Sequence, residues 1–92
     1  MPELFTVSGD NRITLPETAV QLTGLGFGLA TGQAVIVSPA NDINGVGAVT
    51  LTTFTSWTDD LIVLDVTTCP TPGYWFVKTD DGFSNLDGLF VV

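Results

Sequence analysis

Asp60-Leu61-Ile62-Val63-Leu64-Asp65-Val66 reads as one strand of a two-layered β protein. Side chains on a strand point alternately to opposite faces. One face here carries Leu61, Val63 and Asp65, and the other carries Asp60, Ile62, Leu64 and Val66. Asp60 lies at the end of the run, where it reaches water, whereas Asp65 lies within it. Ile62, Leu64 and Val66 therefore face the core. Tyr74-Trp75-Phe76-Val77-Lys78 follows the same rule. Lys78 marks the outer face, which turns Trp75 and Val77 inward and leaves Tyr74 and Phe76 outward.

Working outward, the chain is a series of β-prone runs rich in Thr and Val. They cover 4–7, 12–15, 18–23, 33–38, 48–54, 60–66, 74–78 and 88–92. Between them lie turn residues, such as Ser8-Gly9-Asp10-Asn11, Pro70-Thr71-Pro72-Gly73 and Asp80-Asp81-Gly82. No stretch keeps a helical period free of Gly or Pro. Short strands roughly 8–12 residues apart predict an all-β sandwich of about seven strands in two antiparallel sheets, one domain over residues 1–92. The expected core is Phe27, Val35, Val37, Trp57, Ile62, Leu64, Trp75, Val77 and Phe90.

Composition excludes several functions. The 92 residues hold two cations, Arg12 and Lys78, against ten carboxylates, and no histidine, for a net charge of −8. Nucleic-acid binding needs Lys and Arg to displace counterions, so no nucleic-acid partner is expected. The same deficit argues against docking on an anionic membrane. Cys69 is the single cysteine, which precludes an internal disulfide. Met1-Pro2-Glu3-Leu4 lacks the cationic region and apolar run of a secretory signal. The expected origin is the cytosol, or a piece of a longer exported protein.

The segment Thr23-Gly24-Leu25-Gly26-Phe27-Gly28 superficially suggests a dinucleotide-binding loop. That loop needs a third glycine where Leu29 stands and a helix after it. The strand-like Ala34-Val35-Ile36-Val37 follows instead, so no cofactor is expected. The glycines serve to supply positive φ and let Phe27 tuck under the turn. The segment resembles the G-x-G-F-G signature after the second strand of IPT/TIG domains. Further stretches are similar to that family in order and spacing. Trp57 to Val66 resembles W-x-D-x-x-I-x-V-x-V, with Leu64 in place of the first Val. Pro72-Gly73-Tyr74-Trp75-Phe76-Val77 resembles P-G-x-Y-x-V, and Gly82-Phe83-Ser84-Asn85 resembles G-x-S-N. The closing Phe90-Val91-Val92 looks like the last strand. The chain departs from the pattern in its polar loop 41–47, its aromatic run 74–76 and a short hairpin before Gly82. The resemblance implies an immunoglobulin-like β-sandwich, a fold that such domains use mainly as spacers and adhesive modules.

Catalytic chemistry finds little footing. Without histidine there is no Ser-His-Asp or Cys-His arrangement. Asp59, Asp60, Asp80 and Asp81 offer carboxylates for glycoside chemistry, but a domain this small has little room for a cleft beside them. Calcium needs roughly 6–8 converging oxygens. Asn41-Asp42-Ile43-Asn44-Gly45 has only a fragment of an EF-hand loop, and Asp80-Asp81-Gly82 is more simply a turn. No metal is expected, and the acids read as solvated turn residues.

Two functions of different class remain. One is a structural component of a bacteriophage virion, a capsid decoration or tail accessory protein made in the host cytoplasm. It is suggested by a Met-initiated single domain without signal, disulfide or catalytic set. The other is a spacer or carbohydrate-binding module of a larger secreted bacterial protein, stacking sugars on Trp57, Trp75 or Tyr74. Either would act through a surface. With Val35, Val37, Trp75, Val77, Phe90 and Val92 inward, alternation turns Ala34, Ile36, Tyr74, Phe76, Leu89 and Val91 outward on one sheet. These six form the expected interface to a protein partner or a second copy, unless the 41–47 loop covers Tyr74 or Phe76. A solvated antiparallel face is ordinarily polar.

Overall fold

The structure, a computed structural model, describes residues 3–28, 33–79, 82–83 and 88–92. Those residues form nine strands and no helix. They are β1 (Glu3–Val7), β2 (Glu17–Leu25), β3 (Ala34–Ser38), β4 (Val49–Leu51), β5 (Ser56–Trp57), β6 (Leu61–Val66), β7 (Gly73–Thr79), β8 (Gly82–Phe83) and β9 (Leu89–Val91). One antiparallel sheet has the order β1-β2-β6-β5. The other runs β4-β3-β7, with β8 and β9 both lying along the far side of β7. This is the strand order of an immunoglobulin-like sandwich with an added strand beside β3.

The segment 12–15, expected as a strand, belongs to neither ladder. It still closes one side of the sandwich. The Ile13 amide donates to the Val92 carbonyl at 2.9 Å, and the Val92 amide donates to the Asn11 carbonyl at 3.0 Å. The chain thus leaves the first sheet after β1 and borders the second before β2 begins. The expected run 48–54 shortens to β4, and Thr55 starts a separate approach to β6, its amide bonding the Val63 carbonyl at 2.8 Å.

The core forms between the two central strand pairs. Val20, Leu22, Ile62, Leu64 and Val66 of β2 and β6 pack toward Val35, Val37, Trp75 and Val77 of β3 and β7, all essentially sealed from solvent. The register follows from alternation: Leu22 pairs with Ile62, Val35 with Val77, and Val37 with Trp75. Trp57, expected in the core, is half-buried at its margin.

The last strand corrects the expectation. Phe90 is 48% exposed and Val91 is 1% exposed. Leu89-Phe90-Val91-Val92 is apolar throughout, so alternation carries no sign of which face is inner. Pairing with β7 sets it instead. Gly73 lies opposite Val91, Tyr74 opposite Phe90 and Trp75 opposite Leu89. Opposed residues share a face, so Leu89 and Val91 join Trp75 inside while Phe90 joins Tyr74 outside. Val91 lies opposite Gly73, where an added Cβ would crowd Pro70 and Val37.

The 24–28 turn behaves as its glycines require. Gly26 and Gly28 adopt φ of 73° and 69°. A Cβ on Gly24 would collide with the Glu3 carbonyl and the Phe27 ring. Phe27 is fully buried. Its amide donates to the Asp59 carbonyl at 2.9 Å, and the Gly24 amide donates to the Asp60 carbonyl at 3.1 Å. The Gly28 amide donates to the Asp59 carboxylate at 3.1 Å. The glycine turn is therefore fastened to the segment that leads into β6.

Two stability outcomes follow from this packing. Gly24→Ala should lose more stability than Gly28→Ala in urea unfolding. The first forces backbone apart, whereas the second meets nothing within 4 Å and bears only the strain of positive φ, about 1–2 kcal/mol. Equal losses would contradict the steric role of Gly24. Trp75→Ala should cost about 3–5 kcal/mol, enough to unfold a small domain. Near wild-type melting of that variant would contradict the assigned inner face of β7.

Candidate interaction surface

The outer face of the second sheet is built by alternation across β4, β3, β7 and β9. Thr50 lies opposite Ile36, and Ile36 lies opposite Phe76. Ser38 lies opposite Tyr74, and Tyr74 opposite Phe90. Ala34 lies opposite Lys78. Of the six expected interface residues, Ala34, Ile36, Tyr74 and Phe76 are thus on this face. Leu89 and Val91 are on the other side, directed into the core, and Phe90 takes the place expected for them.

Facing outward is not the same as being exposed. Phe76 is only 2% exposed. Gly88 lies directly over it, so close that a Cβ there would strike the Phe76 ring and the Tyr74 Cβ. The Gly88 amide donates to the Asn41 side-chain carbonyl at 2.7 Å. The polar loop before β4 therefore helps to hold the cover over Phe76. The same loop folds over the adjacent corner, where Ser38 is fully buried and a Cβ on Gly45 would crowd its hydroxyl. Ala34 is buried as well.

What stays accessible is the exposed Phe90 with half-buried Ile36 and Tyr74; exposed Thr50 lies beside Ile36 and exposed Lys78 at one end. The Tyr74 and Phe90 rings are 5.1 Å apart at an interplanar angle of 55°, a tilted aromatic pair. Val46, in the loop before β4, is 96% exposed.

Charge divides the two sheets. The strands β3, β4, β7, β8 and β9 contain no Asp or Glu, and Lys78 is their one charged residue. The opposite sheet carries Glu3, Glu17 and Asp65 in its strands. Its outer face also exposes Phe5 and Leu25, but Leu25 pairs with Glu3, and Thr6 hydrogen-bonds Thr23 across the strands. That face is mixed, while the strand residues of the β4-β3-β7-β9 face carry Lys78 as their one charge, with exposed Asp42 in the loop that borders them.

The other candidate groups are occupied in structural roles. Asp65 accepts the Ala19 amide at 2.9 Å, where β2 bulges and Ala19 takes a φ of 54°. Asp60 accepts the Thr58 hydroxyl at 3.0 Å, and Asp42 accepts the Asn44 amide at 2.9 Å. Among the described residues, no three acids or cysteines gather as a metal site would require. Asp80, Asp81 and Asp87 lie outside the described residues. Burial pushes the Cys69 thiol up from its ordinary pKa, which disfavours the reactive thiolate. Of the aromatics considered for sugar stacking, Trp75 is fully buried. Trp57 is half-buried, packs edge-on against Phe54 with centroids 4.7 Å apart, and donates its indole N–H to the Phe27 carbonyl at 3.3 Å. Tyr74 alone of the three belongs to the open strip.

Sequence reasoning placed Phe90 in the core instead of on this face and missed Gly88, while the 41–47 loop it named as the alternative cover supplies Asn41 to hold Gly88 there. No sequence signal marked Phe90, because its face is set by pairing with β7 and not by alternation. No sequence pattern marks the Asn41–Gly88 hydrogen bond, which joins residues from two distant loops. No protein-family model matches this chain, and no curated protein matches it.

The contrast between Phe76 and Phe90 is measurable. Phe76→Ala should destabilise the fold by about 3–5 kcal/mol. Phe90→Ala should change it by no more than about 1 kcal/mol, because half the ring is already in water. Comparable thermal shifts for the two would contradict the assigned cover over Phe76.

Proposed function

We propose that this is a non-catalytic structural protein of a bacteriophage virion, a capsid decoration or tail accessory protein. It docks on another protein through the outer face of the β4-β3-β7-β9 sheet. The observation that carries this reading is the partly exposed Ile36–Tyr74–Phe90 strip on a sheet whose strands hold no carboxylate, in a chain of net charge −8. An apolar, aromatic centre depleted of charge is the composition of an interface core. The turn roles of Asp42, Asp59, Asp60 and Asp65, and the raised Cys69 thiol, support a chain that does no chemistry. The resemblance of 23–28, 57–66 and 72–77 to IPT/TIG domains supports an adhesive or spacing role.

The secreted accessory module is the second reading, and the Tyr74–Phe90 pair favours it. Two neighbouring aromatic rings at the surface offer a platform on which a sugar ring can stack. A spacer in such a protein would need no open strip.

The test uses purified particles from the phage and host that encode the chain. Quantitative mass spectrometry should find the chain at a fixed copy number per particle. The double variant Tyr74→Ser/Phe90→Ser should fold and be largely lost from the particles. Absence of the wild-type chain from particles overturns the virion reading. Retention of the folded double variant at full copy number overturns the assigned face. Saturable binding of soluble glycans, abolished by the same substitutions, would replace it with the carbohydrate-binding module.

A further inference from the structure

We infer that Asn44 is a site of self-modification: its side-chain amide closes on the Gly45 backbone nitrogen, and the product loosens the loop that holds the cover over Phe76. Asn44 stands apart from the other described asparagines. Asn11 uses its side-chain carbonyl to accept the Val7 amide at 2.9 Å, and Asn41 uses its own to accept the Gly88 amide at 2.7 Å. Asn44 is exposed, and its side chain makes no hydrogen bond among the described residues. Arg12 follows Asn11 and Asp42 follows Asn41, so a side chain crowds the nitrogen that would attack in each case. Gly45 follows Asn44, and glycine leaves its nitrogen open to approach. The fold holds glycine there, because a Cβ at 45 would come within 2.5 Å of the hydroxyl oxygen of fully buried Ser38. Packing at this corner therefore keeps the labile pair in place. The next residue, Val46, is 96% exposed, so water reaches the loop from outside.

The step needs only water. The Gly45 nitrogen gives its proton to solvent base and bonds to Asn44 Cγ. The Cγ–Nδ2 bond breaks, and the side-chain nitrogen leaves as ammonia. Water then opens the cyclic imide at either carbonyl and leaves aspartate or isoaspartate at 44.

The folded loop restrains this reaction. The Gly45 amide donates to the Asp42 carbonyl at 2.9 Å, and the Asp42 carboxylate accepts the Asn44 amide at 2.9 Å. The first bond must break before the nitrogen can turn to Cγ, and a nearby carboxylate disfavours removal of its proton. Ring closure therefore requires the loop to open locally. The Asn41–Gly88 hydrogen bond opposes that opening at one end. Either product adds a negative charge beside Asp42, in a chain already at −8. Isoaspartate also routes the main chain through an additional carbon, which breaks the fit of the Asp42–Gly45 turn. The displaced turn draws Asn41 away from Gly88, and Phe76 gains exposure. The change is one-way, so the outer face becomes more apolar as the chain ages.

The purified chain, incubated at mildly alkaline pH, should gain about 1 Da. Peptide mapping should place the gain at 44, as separable aspartate and isoaspartate forms, before any at 11 or 41. Asn44→Gln, which would have to close a larger ring, should slow it at least about tenfold. Asn41→Ala should speed it at least about threefold. The converted chain should exchange its Gly88 amide hydrogen at least about tenfold faster than the fresh chain. Asn44→Asp, which supplies the charge without the extra carbon, should give a smaller increase. An unmodified Asn44 in Asn41→Ala, after a peptide of residues 40–48 has fully converted, overturns the inference. So does conversion first at Asn11 or Asn41. A rate indifferent to Asn41→Ala, or a converted chain that exchanges Gly88 at the original rate, overturns the link to the cover over Phe76. None of these readouts involves particles or a partner, so they stand or fall apart from the virion reading.

Discussion

The contact between the 24–28 turn and the backbone of Asp59 and Asp60 is the constraint on which most of the sandwich depends. Gly24 and Phe27 donate to the carbonyls of those two residues, and Gly28 donates to the Asp59 carboxylate. These bonds hold the end of β2 against the start of β6. They fix the register that puts Leu22 opposite Ile62 and Val20 opposite Leu64. A slip of one residue would turn one strand's pair, Val20 and Leu22 or Ile62 and Leu64, to the surface. The same turn drives the Phe27 ring into the core and presents its carbonyl to the Trp57 indole. Phe27 and Trp57 meet edge-on with centroids 6.2 Å apart. Glycine is needed at 24 because β1 passes too close for a side chain. It is favoured at 26 and 28 because the chain must reverse within two residues. Two stretches that look like separate motifs in the sequence are the two halves of one joint.

The opposing sheet depends on that joint only through the core, and it differs in character. Its central strand β7 has an aromatic at three consecutive positions, Tyr74, Trp75 and Phe76. Alternation can bury only one side of such a run. Trp75 fills the middle of the sandwich. Its indole N–H is sealed from solvent without a hydrogen-bond partner among the described residues. An unpaired buried donor costs about 1–3 kcal/mol. The ring's large apolar burial offsets that cost, so packing at this position outweighs polar satisfaction.

The face assignments in β6 and β7 were legible because each of those runs contains a charged residue that marks the outside. Asp65 does so in β6 and Lys78 in β7. The glycine turn was legible because conformational restriction is written in residue type. The last strand was not legible, since four apolar residues in succession carry no alternation. Its orientation comes from pairing with β7, a contact made between distant residues. The covering of Phe76 was legible only as an alternative, through the 41–47 loop; Gly88, which makes it, was hidden, since Asn41 and Gly88 are 47 positions apart. The candidate surface was therefore readable in position but not in extent. Ile36 and Tyr74 came from alternation, Phe90 came from register, and Phe76 was lost to a cover that alternation cannot foresee.

The edge beside β7 explains why so little of this face is open. Between the Lys78–Phe83 pair and the Trp75–Leu89 pair, β7 advances three residues while the edge strand advances six. The extra length breaks one edge strand into β8 and β9. At the break, Gly88 comes to lie on Phe76 rather than beside it in a regular ladder. A regular edge would leave Phe76 exposed between Ile36 and Lys78, widening the apolar strip. The break narrows the strip to Ile36, Tyr74 and Phe90. A larger apolar surface on a free chain invites indiscriminate association. The split edge therefore limits stickiness while keeping the Tyr74–Phe90 pair at the surface.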